Sequence, residues 1–147
     1  MIEQFTIWGT KTHSFFDVWS FEHFFSGMAI GATAMYFTNK KIKNTDKEMS
    51  KYVEIFFVLF LAYFWESIEH YMELGILGDT VKYWLQGVEH WSNRLISDPL
   101  LILLGYFTVR RYVYLTNYAR ILNFTWLFLH IFLFPHSMYI HEWLNTF

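Results

Sequence analysis

The chain of 147 residues has room for one domain and carries a formal net charge of −2. It is 54% hydrophobic and 23% aromatic, and it contains no cysteine. The lack of cysteine excludes disulfides, zinc–thiolate sites, iron–sulfur clusters and c-type haem attachment. The sequence has no basic stripe that would indicate a nucleic-acid partner. The apolar residues form long blocks rather than amphipathic stripes, which favours a lipid bilayer as the surrounding medium.

Four apolar blocks predict an all-α polytopic membrane protein, with one transmembrane domain over residues 1–147. The predicted transmembrane helices are at about 21–38, 52–72, 95–115 and 118–140, each near the ~20 residues that cross a bilayer. The segments 5–19 and 81–93 mix aromatic with polar residues, which predicts short interfacial helices.

Local signals refine these helices. Asp98-Pro99 is typical of a helix start, because proline suits the first turn. Pro135 predicts a kink or break in the last helix. Gly27 and Gly31 lie four residues apart, a spacing that permits close contact with a neighbouring helix.

Charge is segregated along the chain. Eight of the 11 Lys and Arg residues lie on the side of the loops 40–51 and 110–120, which the positive-inside rule assigns to the cytoplasm. This pattern predicts a protein of the bacterial inner membrane with both termini outside the cytoplasm. Ten of the 13 acidic residues and six of the seven histidines lie toward the opposite side. We therefore expect the chemistry in the outer half of the helices.

The second block contains the clearest polar signal. Glu69 and His70 follow Glu66 by three and four residues, so both lie near Glu66 on the helix surface. At 1.5 Å per residue, Glu66 reaches about the same depth as His23, Asp98 and His136 in the other three blocks. Polar groups at one level on four helices predict a convergent site. Alternatively, the second helix ends near Trp65 and these groups are solvated.

The residue types indicate a site for a divalent transition metal, zinc or iron, because imidazole and carboxylate are ligands for such ions. The predicted metal ligands are His23, Glu66, Glu69, His70 and His136. Glu66, Glu89 and Asp98 are the predicted catalytic groups. Ordinary structural roles stay open for these residues. Asp98 could be a helix N-cap, His23 a hydrogen-bonded interfacial residue and His136 a consequence of the Pro135 break. Glu89 with Asn93 could form a solvated face, and His130 could be a buried, hydrogen-bonded residue.

The order of these motifs resembles a known group. It consists of His23-Phe24-Phe25-Ser26-Gly27, Trp65-Glu66 with Glu69, and then Glu89, Asn93 and Ser97-Asp98. This order is similar to that of small uncharacterised bacterial membrane proteins related to the VanZ-like group. The chain departs from that group in having Phe21-Glu22 before the first histidine, where the group has an Asp-Lys pair. The resemblance implies a functional His/carboxylate cluster and no particular reaction.

Three functions fit these features. A metal site could hydrolyse a lipid-linked or phosphorylated substrate, with a spare glutamate as base. The chain could be a small non-catalytic subunit of a larger membrane complex, or a homo-oligomer. It could also be a haem b or proton-relay protein with imidazole axial ligands. Whether the protein is an enzyme stays open at this stage.

Overall fold

The computed structural model describes residues 5–41, 47–85 and 87–129. Two short strands, β1 (Thr6–Trp8) and β2 (Ser14–Phe16), pair in parallel, with Thr6 opposite Ser14 and Trp8 opposite Phe16. The predicted interfacial helix over residues 5–19 is therefore wrong.

Five α-helices follow in the described part of the chain: α1 (Trp19–Lys41), α2 (Lys47–Glu73), α3 (Asp79–Leu85), α4 (Asp98–Arg111) and α5 (Thr116–Phe128). A π-helical turn, Asn93–Ser97, leads into α4, and a 3₁₀ turn, Val113–Leu115, leads into α5. Helix α1 lies at the centre of the fold and packs against α2, α4 and α5.

The close contact between α1 and α4 depends on glycine. A Cβ atom at Gly27 would overlap the backbone of Ile102, and one at Gly105 would overlap the backbone around Phe24. Only glycine allows the two backbones to approach this closely. At Gly31 a Cβ atom would lie 2.9 Å from Tyr106 Cα. This packing brings the first turns of α1 and α4 together.

Helix α2 turns its acidic face inward. Glu54, Val58, Ala62, Glu66 and Glu73 follow one another at helical spacing, and all five are buried. The opposite face exposes large apolar side chains, including Phe56, Phe60, Phe64 and Trp65. Exposed apolar patches of this kind mark contact surfaces. Because Glu66 and Glu73 are buried, carboxyl groups rather than apolar side chains fill the interior at the C-terminal end of α2.

One finding contradicts the prediction of a polytopic membrane protein. Within residues 5–41, 47–85 and 87–129, no helix is both long enough and apolar enough to cross a membrane. Acidic residues interrupt the apolar run of α2 after Trp65, and α4 has only 14 residues where ~20 are needed. The same finding contradicts the transmembrane assignment of the four blocks and the localisation in a bacterial inner membrane with its orientation. The last part of the predicted span 118–140, with Pro135, lies outside the described residues.

Candidate metal centre

The centre is built around His23, in the second turn of α1. Its Nδ1 atom lies 3.5 Å from Glu66 Oε1 on α2, and its Nε2 atom lies 3.6 Å from Asp98 Oδ2 at the start of α4. All three side chains are buried. One imidazole thus stands between two carboxyl groups from different helices.

Helix α1 begins where it does because of a reciprocal cap. The backbone N–H of Ser20 donates to Asp17 Oδ1 at 3.2 Å, and the backbone N–H of Asp17 donates to Ser20 Oγ at 3.0 Å. Asn93 Nδ2 donates to the other oxygen of Asp17 at 3.0 Å. This bond ties the start of α1, which carries His23, to the π-helical turn.

The π-helical turn delivers the groups that precede α4. Asn93, Ser97 and Asp98 are all fully buried, and the backbone N–H of Asp98 donates to Asn93 O within the turn. Since helical hydrogen bonding continues through the turn, Asp98 is not an N-cap. Its side chain is free to face the centre. π-Helical turns are often found at functional sites.

The polar residues of α2 and of the segment before α4 are not solvated. Helix α2 continues to Glu73, past Trp65, and Glu66 and Glu69 are both buried. Glu89 and Asn93 are buried as well. The alternatives of an early helix end and of a solvated face therefore do not describe the structure.

Two carboxyl groups at the centre have no hydrogen-bond donor. Glu66 is 1% exposed and Asp98 0% exposed, and none of their four oxygens accepts a hydrogen bond from any described residue. Ser97 Oγ and Asn93 Oδ1 are buried and likewise unpartnered within that part of the chain. Buried polar atoms almost always have partners, so these oxygens could bind a cation or accept hydrogen bonds from a bound molecule.

Glu54, on the same helix, shows the opposite arrangement. Its carboxyl group accepts hydrogen bonds from Thr38 Oγ1 at 2.6 Å, from Tyr106 OH at 2.9 Å and from the Arg110 guanidinium. This network is complete and links α1, α2 and α4. Burial raises the pKa of Tyr106 to about 12, with the Glu54 hydrogen bond as a further cause. Of these two buried glutamates of α2, Glu54 therefore has a full set of hydrogen-bond donors, whereas Glu66 has none among the described residues.

Burial sets the protonation of the centre. Desolvation lowers the pKa of His23 to about 3, so its imidazole is neutral at pH 7. Desolvation, reinforced by neighbouring carboxylates, raises the pKa of Glu66 to about 10 and that of Glu89 to about 9. The pKa of Asp98 is raised well above its ordinary value by the same causes. Without a cation, the carboxyl groups of Glu66 and Glu89 are therefore protonated at neutral pH.

An ion-pair network borders the centre. Lys11 Nζ pairs with Glu73 and lies 3.8 Å from Glu69 Oε1. Desolvation raises the pKa of Glu69 to about 7, and the charge of Lys11 limits the rise. Arg94 Nη1 lies 3.7 Å from Glu73 Oε2 and hydrogen-bonds His70. The backbone N–H of Glu89 donates to Glu73 at 3.1 Å.

A cavity of about 300 Å³ opens beside the centre, between α1, α2, α4 and α5. Its polar wall holds four side chains that include two members of the centre: Glu22, His23, Ser26 and Glu69. The rest of the lining is apolar and includes Leu61, Ile68 and Ile102. The cavity gives a small molecule a route to His23 and Glu69.

Five of the residues predicted for the site come together: His23, Glu66, Glu69, Glu89 and Asp98. Their possible donor atoms form two sets, His23 with Glu66 and Glu69, and Glu66 with Glu89 and Asp98; within each set all donors lie within 4.8 Å of one another. His70 is half-exposed and faces Arg94 and Glu73 instead. His136 and His130 lie outside the described residues.

Sequence reasoning missed Lys11, Asp17 and Arg94. A signal for two of them was present, since only three basic residues lie on the acidic side of the chain and these include Lys11 and Arg94. Isolated cations in an acid-rich region are natural partners for buried carboxylates.

Comparisons with protein-family models, with curated proteins and with solved structures found no match for this chain. The resemblance to the VanZ-like group therefore stays a prediction.

Proposed function

We propose that the chain binds a divalent transition metal at the centre formed by His23, Glu66, Glu69, Glu89 and Asp98. The observation that carries the proposal is the pair of buried carboxyl groups, Glu66 and Asp98, that accept no hydrogen bond from the described residues and flank a neutral imidazole. An isolated carboxyl group in this setting either takes up a proton or coordinates a metal, because a buried, unpaired carboxylate is costly.

The charge balance supports this proposal. In the described part of the chain the buried cluster holds six carboxyl groups: Asp17, Glu66, Glu69, Glu73, Glu89 and Asp98. The cations in contact with it there are Lys11 and Arg94. When the carboxyl groups are ionised, the cluster needs further positive charge, which a divalent cation supplies.

The donor set favours particular ions. Four carboxylates and one imidazole, with no thiol, suit zinc, iron or manganese rather than a soft metal such as Cu(I). His23 stands between two carboxyl groups, an arrangement that favours a divalent cation over an axial haem ligand. The neutral state of its imidazole is the state that binds metal.

The cavity supports metal-assisted hydrolysis as the reaction class. A metal ion in this position would lower the pKa of a coordinated water molecule and polarise a substrate carbonyl or phosphoryl oxygen. The cavity reaches His23 and Glu69, so a substrate could approach the ion along its apolar wall.

Metal analysis of the purified full-length chain tests the proposal. We expect Zn²⁺ or Mn²⁺ to remain bound after desalting, and Glu66→Gln to lower the bound metal at least tenfold. Glu54→Gln is the matched control, because it changes the same residue type on the same helix within a complete network, and it should retain the metal. A wild-type chain that retains neither ion, or a Glu66→Gln variant that binds as much as wild type, would contradict the proposal. The first result would instead favour a cluster that holds protons.

The alternative of a non-catalytic subunit also stays a proposal. The exposed aromatic face of α2, with Phe56, Phe60 and Phe64, is the observation that favours it. Light scattering on the purified chain and on Phe60→Lys tests it. Assembly that the substitution abolishes would support a subunit role, and a monodisperse monomer would oppose it.

A further inference from the structure

We infer that the centre holds two divalent cations, bridged by the carboxylate of Glu66. This inference rests on the proposed metal-binding function and specifies its stoichiometry. The observation behind it is that the donors divide into two sets that share only Glu66.

Each donor set matches one ion. His23, Glu66 and Glu69 form the first set, and every donor pair in it is within 4.8 Å. Donors around a single ion lie about 3 to 4.4 Å apart when each metal–ligand bond is ~2.0–2.2 Å long. The donor atoms of this set therefore need to move only slightly closer together to bind one ion. Glu66, Glu89 and Asp98 form the second set within the same limit.

Glu66 is suited to a bridge because neither of its oxygens has a hydrogen-bond donor among the described residues. One oxygen, Oε1, faces His23 at 3.5 Å. A carboxylate with two free oxygens can bind one ion through each. A bridging carboxylate would use both oxygens of Glu66.

Asp98 connects the two donor sets. One of its oxygens, Oδ2, lies 3.6 Å from His23 Nε2, the ring nitrogen that faces away from Glu66. A metal-bound histidine usually gives its second N–H to a carboxylate, which fixes the ring. Asp98 can therefore orient His23 toward the first ion while its other oxygen binds the second.

Two ions would also match the charge of the fully ionised cluster. If cations displace the protons of all six buried carboxyl groups, these groups exceed Lys11 and Arg94 by four negative charges in the described part of the cluster. Two divalent cations would neutralise this excess. Paired ions in helical, carboxylate-rich sites can clamp both the attacking and the leaving oxygen of a hydrolysed bond.

Manganese loading tests the inference on the full-length chain. After removal of metal with a chelator and titration with Mn²⁺, we expect two ions per chain by elemental analysis. The electron paramagnetic resonance spectrum should show an exchange-coupled pair rather than the six-line signal of isolated Mn²⁺. Glu69→Gln and Glu89→Gln, one from each set, should each reduce the content to about one ion and restore the six-line signal.

The outcomes separate this inference from the proposed function. One ion per wild-type chain with a six-line spectrum would overturn the bridged pair and leave the metal-binding proposal intact. No bound ion would overturn both. Because the spectrum is recorded on the wild-type chain, the inference stays testable even if a variant fails to fold. Glu54→Gln should keep two ions and the coupled spectrum.

Discussion

Replacing Glu66 by glutamine should stabilise the metal-free protein at neutral pH. The pKa of Glu66 is raised to about 10 in the folded state from an ordinary value of 4.5. At pH 7 the unfolded chain therefore has an ionised carboxylate, and folding must take up a proton at this site. At 1.36 kcal/mol per pH unit, this uptake costs about 3 kcal/mol, a cost that glutamine does not have. We expect a gain of about 2 to 3 kcal/mol in the free energy of unfolding.

The sign of the pH dependence is part of this prediction. A carboxyl group whose pKa is raised on folding favours the folded state below the unfolded pKa, and this stability is lost as the pH rises toward the folded pKa. The difference between Glu66→Gln and wild type should thus be near zero at pH 4.5 and grow by up to ~1.4 kcal/mol per pH unit up to about pH 9.

Urea unfolding in the presence of a chelator, at several pH values, measures this difference. Glu54→Gln is the control, because its carboxylate accepts three hydrogen bonds and pairs with Arg110. Losing charge-assisted bonds of this kind should destabilise that variant by about 1.5–3 kcal/mol. If Glu66→Gln were destabilised as much as Glu54→Gln at pH 7, the reasoning about unpartnered carboxyl groups would be refuted. Adding Zn²⁺ should stabilise only proteins that keep Glu66.

Three further predictions concern the surroundings of the centre. Gly27→Ala should destabilise the protein by about 1–3 kcal/mol, because its Cβ atom would overlap the backbone of α4. The loss should be larger than that of Gly31→Ala. Thermal unfolding of both variants compares the two losses, and equal melting temperatures would contradict the prediction. His70→Ala should leave the metal content unchanged by elemental analysis, since His70 faces Arg94, and a tenfold loss would place His70 in the centre. Lys11→Met should cost about 3–5 kcal/mol because it leaves Glu73 buried without its closest cation, and the double variant with Glu73→Gln should recover part of this loss in urea unfolding.

The helices could be located from apolar patterning, but their environment could not. The predicted span 52–72 falls within α2 (Lys47–Glu73), and 21–38 falls within α1 (Trp19–Lys41). The transmembrane reading failed because it counted apolar residues by block and gave too little weight to the acids within α2. The π-helical turn before α4 had no local signal, since its geometry depends on contacts with distant residues.

The proximity of three of the predicted residues could be inferred from the sequence, because helical spacing fixes relative depth. His23 lies near both Glu66 and Asp98, as their similar depth suggested. Helical spacing does not show which residues of an acidic helix face are buried. Glu69 is buried, whereas the next residue, His70, is half-exposed. The partners of Glu73 could not be predicted from the sequence for a different reason. Its ion pair with Lys11 joins residues 62 positions apart, and no local pattern encodes such a contact.

Anomalous diffraction from crystals of the full-length chain grown with Mn²⁺ tests the central claim most directly. We predict anomalous peaks within bonding distance of the Glu66 carboxylate, one beside His23 and Glu69 and the other beside Glu89 and Asp98. Peaks absent from this centre, with Glu66 and Asp98 still buried and unoccupied at saturating Mn²⁺, would contradict the account.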